Sequence, residues 1–132
     1  MKRIKVYLVD DHRMMLDMWS SLLSIDNRFA VVGISTDGHL ALEEIKVKLP
    51  NVVLMDISMP GISGIDLTRT IKEKFPLTQV LAVSMHTNVL TIKQILSAGA
   101  SGYMSKTSSF EEMVQAILAV NSGKHYIAED IK

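Results

Sequence analysis

The chain has no cysteine. Disulfides, thiolate metal sites and thiol catalysis are therefore excluded, and a reducing, cytoplasmic setting is the expectation. Neither sign of charge is in excess, since 14 Lys+Arg face 14 Asp+Glu. A strong electrostatic hold on nucleic acid by this chain alone is not expected from that balance. Long hydrophobic runs are missing as well. The start, MKRIKVYLVDD, has basic residues, but two acids cut its apolar run short. It reads as a first strand and not as a signal peptide, and nothing later is long enough to span a membrane. What is present is 132 residues, 48% hydrophobic and 21% charged, the balance of one soluble domain with a single core.

Hydrophobic periodicity alternates along the chain. Ile4–Val9 is apolar and β-branched, and Arg13–Ser24 carries Met15, Met18, Trp19, Leu22 and Leu23 as a helical stripe. Ala30–Ile34 reads as a second strand. His39–Leu49 follows as a helix, with Leu40, Leu42, Ile45 and Leu49 at helical spacing, and is stopped by Pro50. Val52–Asp56 is a buried strand, and Ile65–Phe75 a helix ended by Pro76. Val80–Val83 ends at Ser84, and Val89–Ala98 is a weaker helix closed by Gly99 as a C-cap. Tyr103-Met104 is a short fifth strand ending near Lys106, and Ser108 or Ser109 caps a last helix, Phe110–Ser122. Five strand–helix alternations predict an α/β, flavodoxin-like fold. It is a doubly wound five-stranded parallel sheet of order 2-1-3-4-5 with helices on both faces. Residues 1–122 form the domain in this reading. From Gly123 to Lys132 the periodicity is lost, and the segment reads as a tail or the start of a linker.

The chemistry gathers at one rim. In a parallel sheet of that order, Asp56 at the end of strand 3 has Asp10 and Asp11 on one side and Ser84 on the other. Neighbouring strands lie about 4.8 Å apart, so Lys106, two strands over, can reach Asp56 with its long side chain. The competing reading of Asp56 is a helix cap for the segment that follows it. Three clustered carboxylates repel one another unless a cation lies between them. Oxygen ligands without His or Cys suit Mg²⁺, whose shell is completed by water and phosphate oxygens. A lysine and a hydroxyl facing that metal suit a phosphoryl group, and Asp56 itself is a possible nucleophile, because aspartyl phosphates are known covalent intermediates.

VDD at Val9–Asp11, MDISMPGISG at Met55–Gly64, VSMH at Val83–His86 and GYMSK at Gly102–Lys106 resemble a bacterial response-regulator receiver domain. The resemblance covers Ile4–Ser122. It implies that Asp56 accepts a phosphoryl group from a partner histidine kinase. It also implies that Asp10 and Asp11 help to hold Mg²⁺, with a further contact from the backbone carbonyl of Ser58. Ser84 and Lys106 would bind phosphoryl oxygens, and Tyr103 would be the aromatic switch. DISMPGISG and NSGKHYIAEDI are most similar to receivers that precede a LuxR-type helix-turn-helix domain. DNA binding would then belong to an output domain beyond Lys132, with a phosphorylation-dependent homodimer as the active form. One departure is Thr107, which stands where many receivers have proline.

His12, His39, His86 and His125 share no ligand spacing and read as loop or surface residues, with His86 at the site entrance. The nine methionines read mostly as core filler, Trp19 as core, and Glu43-Glu44 and Glu111-Glu112 as solvated helix faces. Two other functions share parts of this pattern. A haloacid-dehalogenase-type phosphatase also uses an Asp nucleophile with Mg²⁺. It usually needs a second Asp two residues on, where this chain has Ser58 after Asp56 and His12 after Asp10. A flavin binder fits the fold, but an acid-rich rim is a poor place for an anionic flavin phosphate.

Overall fold

The computed structural model describes residues 2–57, 63–85 and 89–127. Six strands and five helices follow one another: β1 (Ile4–Val9), α1 (Arg13–Ile25), β2 (Phe29–Ser35), α2 (Gly38–Lys48), β3 (Val52–Asp56), α3 (Gly64–Lys74), β4 (Gln79–Ser84), α4 (Val89–Ser97), β5 (Gly102–Ser105), α5 (Phe110–Asn121) and β6 (Tyr126–Ile127). The strands form one sheet of order β2-β1-β3-β4-β5-β6, and every pairing is parallel. The first five strands take the expected order. The sixth was not expected: Tyr126 and Ile127 lie in the stretch read as a tail, yet they pair with Gly102 and Tyr103. Two residues are too few to show a period of two, so the sequence pattern carried no signal for them.

Alternate strand residues point to opposite faces and divide the core. Val6, Leu8, Leu54, Leu81, Val83 and Met104 pack under α1 and α5. Tyr7, Val9, Val53, Met55, Val80, Ala82 and Tyr103 pack under α2, α3 and α4. β3 lies at the centre and is buried along all five residues. A strand covered on both faces needs a continuous apolar run and cannot show alternation, which is why VVLM reads as it does.

The helix stripes are narrower than expected. On α1 the core takes Leu16, Trp19 and Leu23, while Met18 and Leu22 are 48% and 36% exposed. On α2 it takes Ala41 and Ile45, and Leu40 and Leu49 face solvent. Both helices have more apolar residues than one face can hold, so periodicity alone does not select the buried line. Met55, Met104 and Met113 are core methionines, but Met14, Met18 and Met85 are exposed. Ser109 caps α5 in a full capping box with Glu112, so that glutamate works as a cap partner as well as lying on the helix surface. Glu44 accepts a hydrogen bond from the hydroxyl of the buried Tyr7. Gly99 closes α4 at φ 113°, a left-handed conformation open to glycine.

Candidate functional site

Parallel pairing brings the carboxyl ends of β1, β3, β4 and β5 to one rim. Val9 pairs with Met55, Asp56 with Val83, and Ser84 with Ser105. Asp10 is the first residue after β1, and its amide is fixed by the Ser35 carbonyl at 3.2 Å. Asp56 is the last residue of β3 and is 1% exposed. It does not cap the following helix, because Ser63 fills that role by accepting from the Asp66 amide. Gly64 opens α3 directly against the strand end. A Cβ there would stand 2.4 Å from the Ile57 Cα and 2.7 Å from the Asp56 carbonyl oxygen, so a side chain would push the helix off the site.

Lys106 reaches the acids as expected. Its amide donates to the Ser84 carbonyl at 2.9 Å, which ties the ends of β4 and β5 together. Its ammonium lies 3.0 Å from Asp10 Oδ2 and 3.3 Å from Asp56 Oδ2, and all three side chains are essentially out of solvent. The peptide bonds are trans among the described residues, including Lys106–Thr107. The turn there is held by side chains, with Ser105 Oγ accepting from the Thr107 amide and meeting the Thr107 hydroxyl at 2.7 Å. Ser84 is buried beside Asp56, and its side chain is hydrogen-bonded to the Tyr103 hydroxyl. Burial pushes the Tyr103 hydroxyl above its ordinary pKa, and the Ser84 bond pulls it partly back. Tyr103 is fully buried here, so the ring already occupies the inner position. Ser58 and His86 lie outside the described residues.

His12 belongs with these residues, although spacing alone gave no reason to include it. Its amide donates to Asp10 Oδ1 at 2.8 Å and turns the chain back over the carboxylate. Its ring Nδ1 then lies 3.0 Å from Asp10 Oδ1 and 3.2 Å from Asp11 Oδ1. The available signal was its place immediately after the two acids. The other histidines, His39 and His125, stay exposed on the surface.

The charges of this cluster do not balance among the described residues. Asp10, Asp11 and Asp56 face the single ammonium of Lys106, which leaves an excess of two negative charges when His12 is neutral. Ligand atoms from Asp10, Asp11, His12 and Asp56 all lie within 4.8 Å of one another. The buried Asp10 Oδ2 makes no hydrogen bond of good geometry, and its contact to Lys106 is an ion pair alone. A divalent cation matches the missing charge, the oxygen-rich donors and the coordination that Asp10 lacks. The residues therefore fit a magnesium site.

Residues 6–118 match the family described as the response regulator receiver domain. The chain is 38% identical over 128 residues to the response regulator GacA of Pseudomonas syringae, covering 97% of this chain and 60% of GacA. It is 32% identical to the transcriptional regulatory protein DegU of Brevibacillus brevis, covering 95% of this chain and 53% of DegU. A crystal structure of a LuxR-family two-component response regulator from Aurantimonas superposes with a TM-score of 0.93 at 32% identity, over 98% of this chain and 93% of that one. The chain thus spans little more than half the length of the curated relatives it matches.

Proposed function

Since the chain belongs to the response regulator receiver family, we propose that Asp56 is its phospho-acceptor and a histidine kinase its donor. The observation that carries this reading is the Lys106 ammonium between Asp10 and Asp56 at the sheet rim, three side chains almost wholly out of solvent. An Asp56 oxygen attacks phosphorus, the bond to the donor nitrogen breaks, and the imidazole leaves with the electron pair. Asp10, Asp11 and Asp56 would hold Mg²⁺, with the Ser58 carbonyl as the further ligand. When bound, the ion supplies charge neutralisation for the phosphoryl oxygens. Lys106 moves from Asp10 onto one of those oxygens, and Ser84 donates to another. The protein's contribution is chiefly position and charge, which phosphoryl transfer mainly requires. Family membership removes the phosphatase alternative. The chain is a signalling protein, and any turnover is limited to its own acylphosphate.

The switch begins at Ser84. Its hydroxyl now serves Tyr103, and the phosphoryl oxygens compete for it. The exchange draws the segment after Ser84 toward Asp56 and alters the packing of Tyr103 under α4. Tyr103, whose ring is already buried, would then act as the switch by a change of hydrogen-bond partner. Inverting a two-state population takes on the order of 5 kcal/mol of differential binding. A few charge-assisted hydrogen bonds supply that amount. The response passes to a homodimer and, through a DNA-binding domain beyond this chain, to transcription, as the name of DegU suggests.

Incubation with acetyl phosphate and Mg²⁺ tests the reading by intact mass. One base- and hydroxylamine-labile phosphoryl group is expected on the protein and none on Asp56→Asn. Equal modification of that variant, or modification without a divalent cation, sinks the assignment.

A further inference from the structure

The equal numbers of cations and anions hide where they lie. Every strand pairing is parallel, so all strands begin at one end of the sheet and finish at the rim that holds Asp56. The helices run back between them, and their last turns return to the end where the strands begin. Acids gather at the rim: Asp10, Asp11 and Asp56 cluster there, and Asp66, Glu111 and Glu112 occupy the first turns of α3 and α5. Cations gather at the opposite end. Lys2, Arg3 and Lys5 stand at the start of β1, Lys46 and Lys74 in the last turns of α2 and α3, and Lys124 two residues before β6. All six are exposed, and their side chains form no ion pair or hydrogen bond among the described residues. The acids at this end are Glu73 and Asp26, and Asp26 is already paired with Arg28. Two further lysines are engaged, Lys48 with the Val32 carbonyl at 2.6 Å and Lys72 with the Thr78 carbonyl at 2.9 Å.

Helix dipoles account for Lys46 and Lys74, since cations are favoured at helix carboxyl ends. They do not account for Lys2, Arg3 and Lys5, which belong to a strand and the residues before it. These three line one groove together with Asn51 and Asn121. The Lys5 amide takes Asn51 Oδ1 at 2.8 Å, so the polar group that Asn51 has left is a donor. No large exposed apolar side chain lines that groove, and a lipid surface would need one to insert. The six cations are also spread in a row instead of converging on one point. From β1 to β6, four strand spacings of about 4.8 Å, the row covers roughly 19 Å. A small anion meets only part of such a row. Duplex nucleic acid, with one negative charge for about every 1.7 Å of its length, meets all of it. We infer that this end of the domain binds the phosphate backbone of duplex nucleic acid, without regard to sequence. Lysine, arginine and asparagine side chains are the usual partners of phosphate oxygens. The binding is independent of Asp56. Its use rests on the proposed function, because a DNA-binding domain tethered to this chain raises the effective concentration of duplex at the row.

Fluorescence anisotropy of a labelled duplex of arbitrary sequence, titrated with the full chain at several salt concentrations, tests it. A dissociation constant on the order of 10⁻⁵ M at low salt is expected, with a log–log salt slope of about −4. Lys2→Gln, Arg3→Gln and Lys5→Gln combined should weaken binding at least about tenfold and flatten the slope by roughly 2–3. Arg13→Gln, Arg69→Gln and Lys93→Gln remove the same charge from α1, α3 and α4. That set should weaken binding less than about threefold, because distant charges are screened. Lys2 and Arg3 precede β1, so their double substitution leaves the strand intact and should still weaken binding about threefold, with circular dichroism confirming the fold. Asp56→Asn should bind as the wild type does, which keeps this result apart from the phosphoryl chemistry. Absence of binding at low salt, a signal insensitive to salt, or equal losses in the two triple variants overturns the inference. So does capture by phosphatidylglycerol vesicles in preference to the duplex.

Discussion

At the scale of single residues, Lys106 already does part of the work of the cation that the acid cluster could hold. It is the only ammonium within salt-bridge distance of Asp10 and Asp56 among the described residues. Removing it leaves buried carboxylates adjacent and uncompensated. Lys106→Met should therefore lose about 1–3 kcal/mol of stability in metal-free buffer. Added Mg²⁺ should restore more in that variant than it adds to the wild type. Urea unfolding with and without Mg²⁺ checks both, and equal metal effects would show that the lysine is no counter-ion. A second residue-scale expectation concerns alkali. Tyr7 and Tyr103 are held protonated above their ordinary 10.0, Tyr7 by burial first and then by Glu44, Tyr103 by burial. Between the unfolded and the raised folded pKa, the unfolded chain has lost protons that the native chain keeps. The contribution is complete below about pH 10 and is lost as pH rises beyond it. Tyr7→Phe should flatten that loss in denaturant melts from pH 9 to 11, whereas an identical slope would exclude Tyr7 as a cause.

The elements differ in how firmly they are held. α4 buries Ile92 and Ile95, while Val89 and Leu90 at its start are 63% and 64% exposed. α5 buries Met113, Val114, Ala116, Ile117 and Val120. Amides of α4 should therefore exchange hydrogen fastest among the helices, and beryllofluoride with Mg²⁺ should slow them more than those of α5. Slower exchange confined to α5 would place the switch elsewhere. α2 ends in a strained residue, since Leu49 has φ 46° and ψ 62° although it is not glycine. That conformation costs an L-residue about 1–2 kcal/mol, part of which the greater freedom of unfolded glycine offsets. Leu49→Gly should raise stability by roughly 0.5–1 kcal/mol, because the side chain it deletes is half exposed. A loss of stability would mean that the exposed leucine packs more than its exposure suggests. The strands and their order were legible in the sequence because both faces are covered and each strand stops at a polar residue. The acids, Ser84 and Lys106 followed from that order by geometry. His12 was not legible, because its role comes from a turn set by its own amide and not from ligand spacing. Ser58 and Tyr103 rested on resemblance alone.

Across the whole molecule, apolar surface is unevenly spread. Met14, Met18, Leu22 and Ile25 recur along α1 at helical spacing and are 86%, 48%, 36% and 79% exposed. Large apolar side chains in one exposed line mark an interaction surface more often than chance decoration. A receiver pair that meets through α1 should then form more readily with beryllofluoride and Mg²⁺, and Met18→Glu should suppress it in sedimentation. Undiminished pairing of Met18→Glu would move the contact to the α4–β5 face. Ser84→Ala should bind beryllofluoride yet pair less, and pairing equal to the wild type would exclude this hydroxyl as the coupling.

The sixth strand gives the molecule a mechanical direction. Ile127 runs beside Tyr103 and Tyr126 beside Gly102, so the last described residues are bonded to the strand that carries Tyr103. Tension applied at the carboxyl end would load β6 before any other part of the sheet. Two residues unzip at low force, and the released edge is β5 itself. Any body tethered beyond Ile127 would therefore pull on Tyr103 and its neighbours first, and such a tether would be a strain gauge as much as a connection.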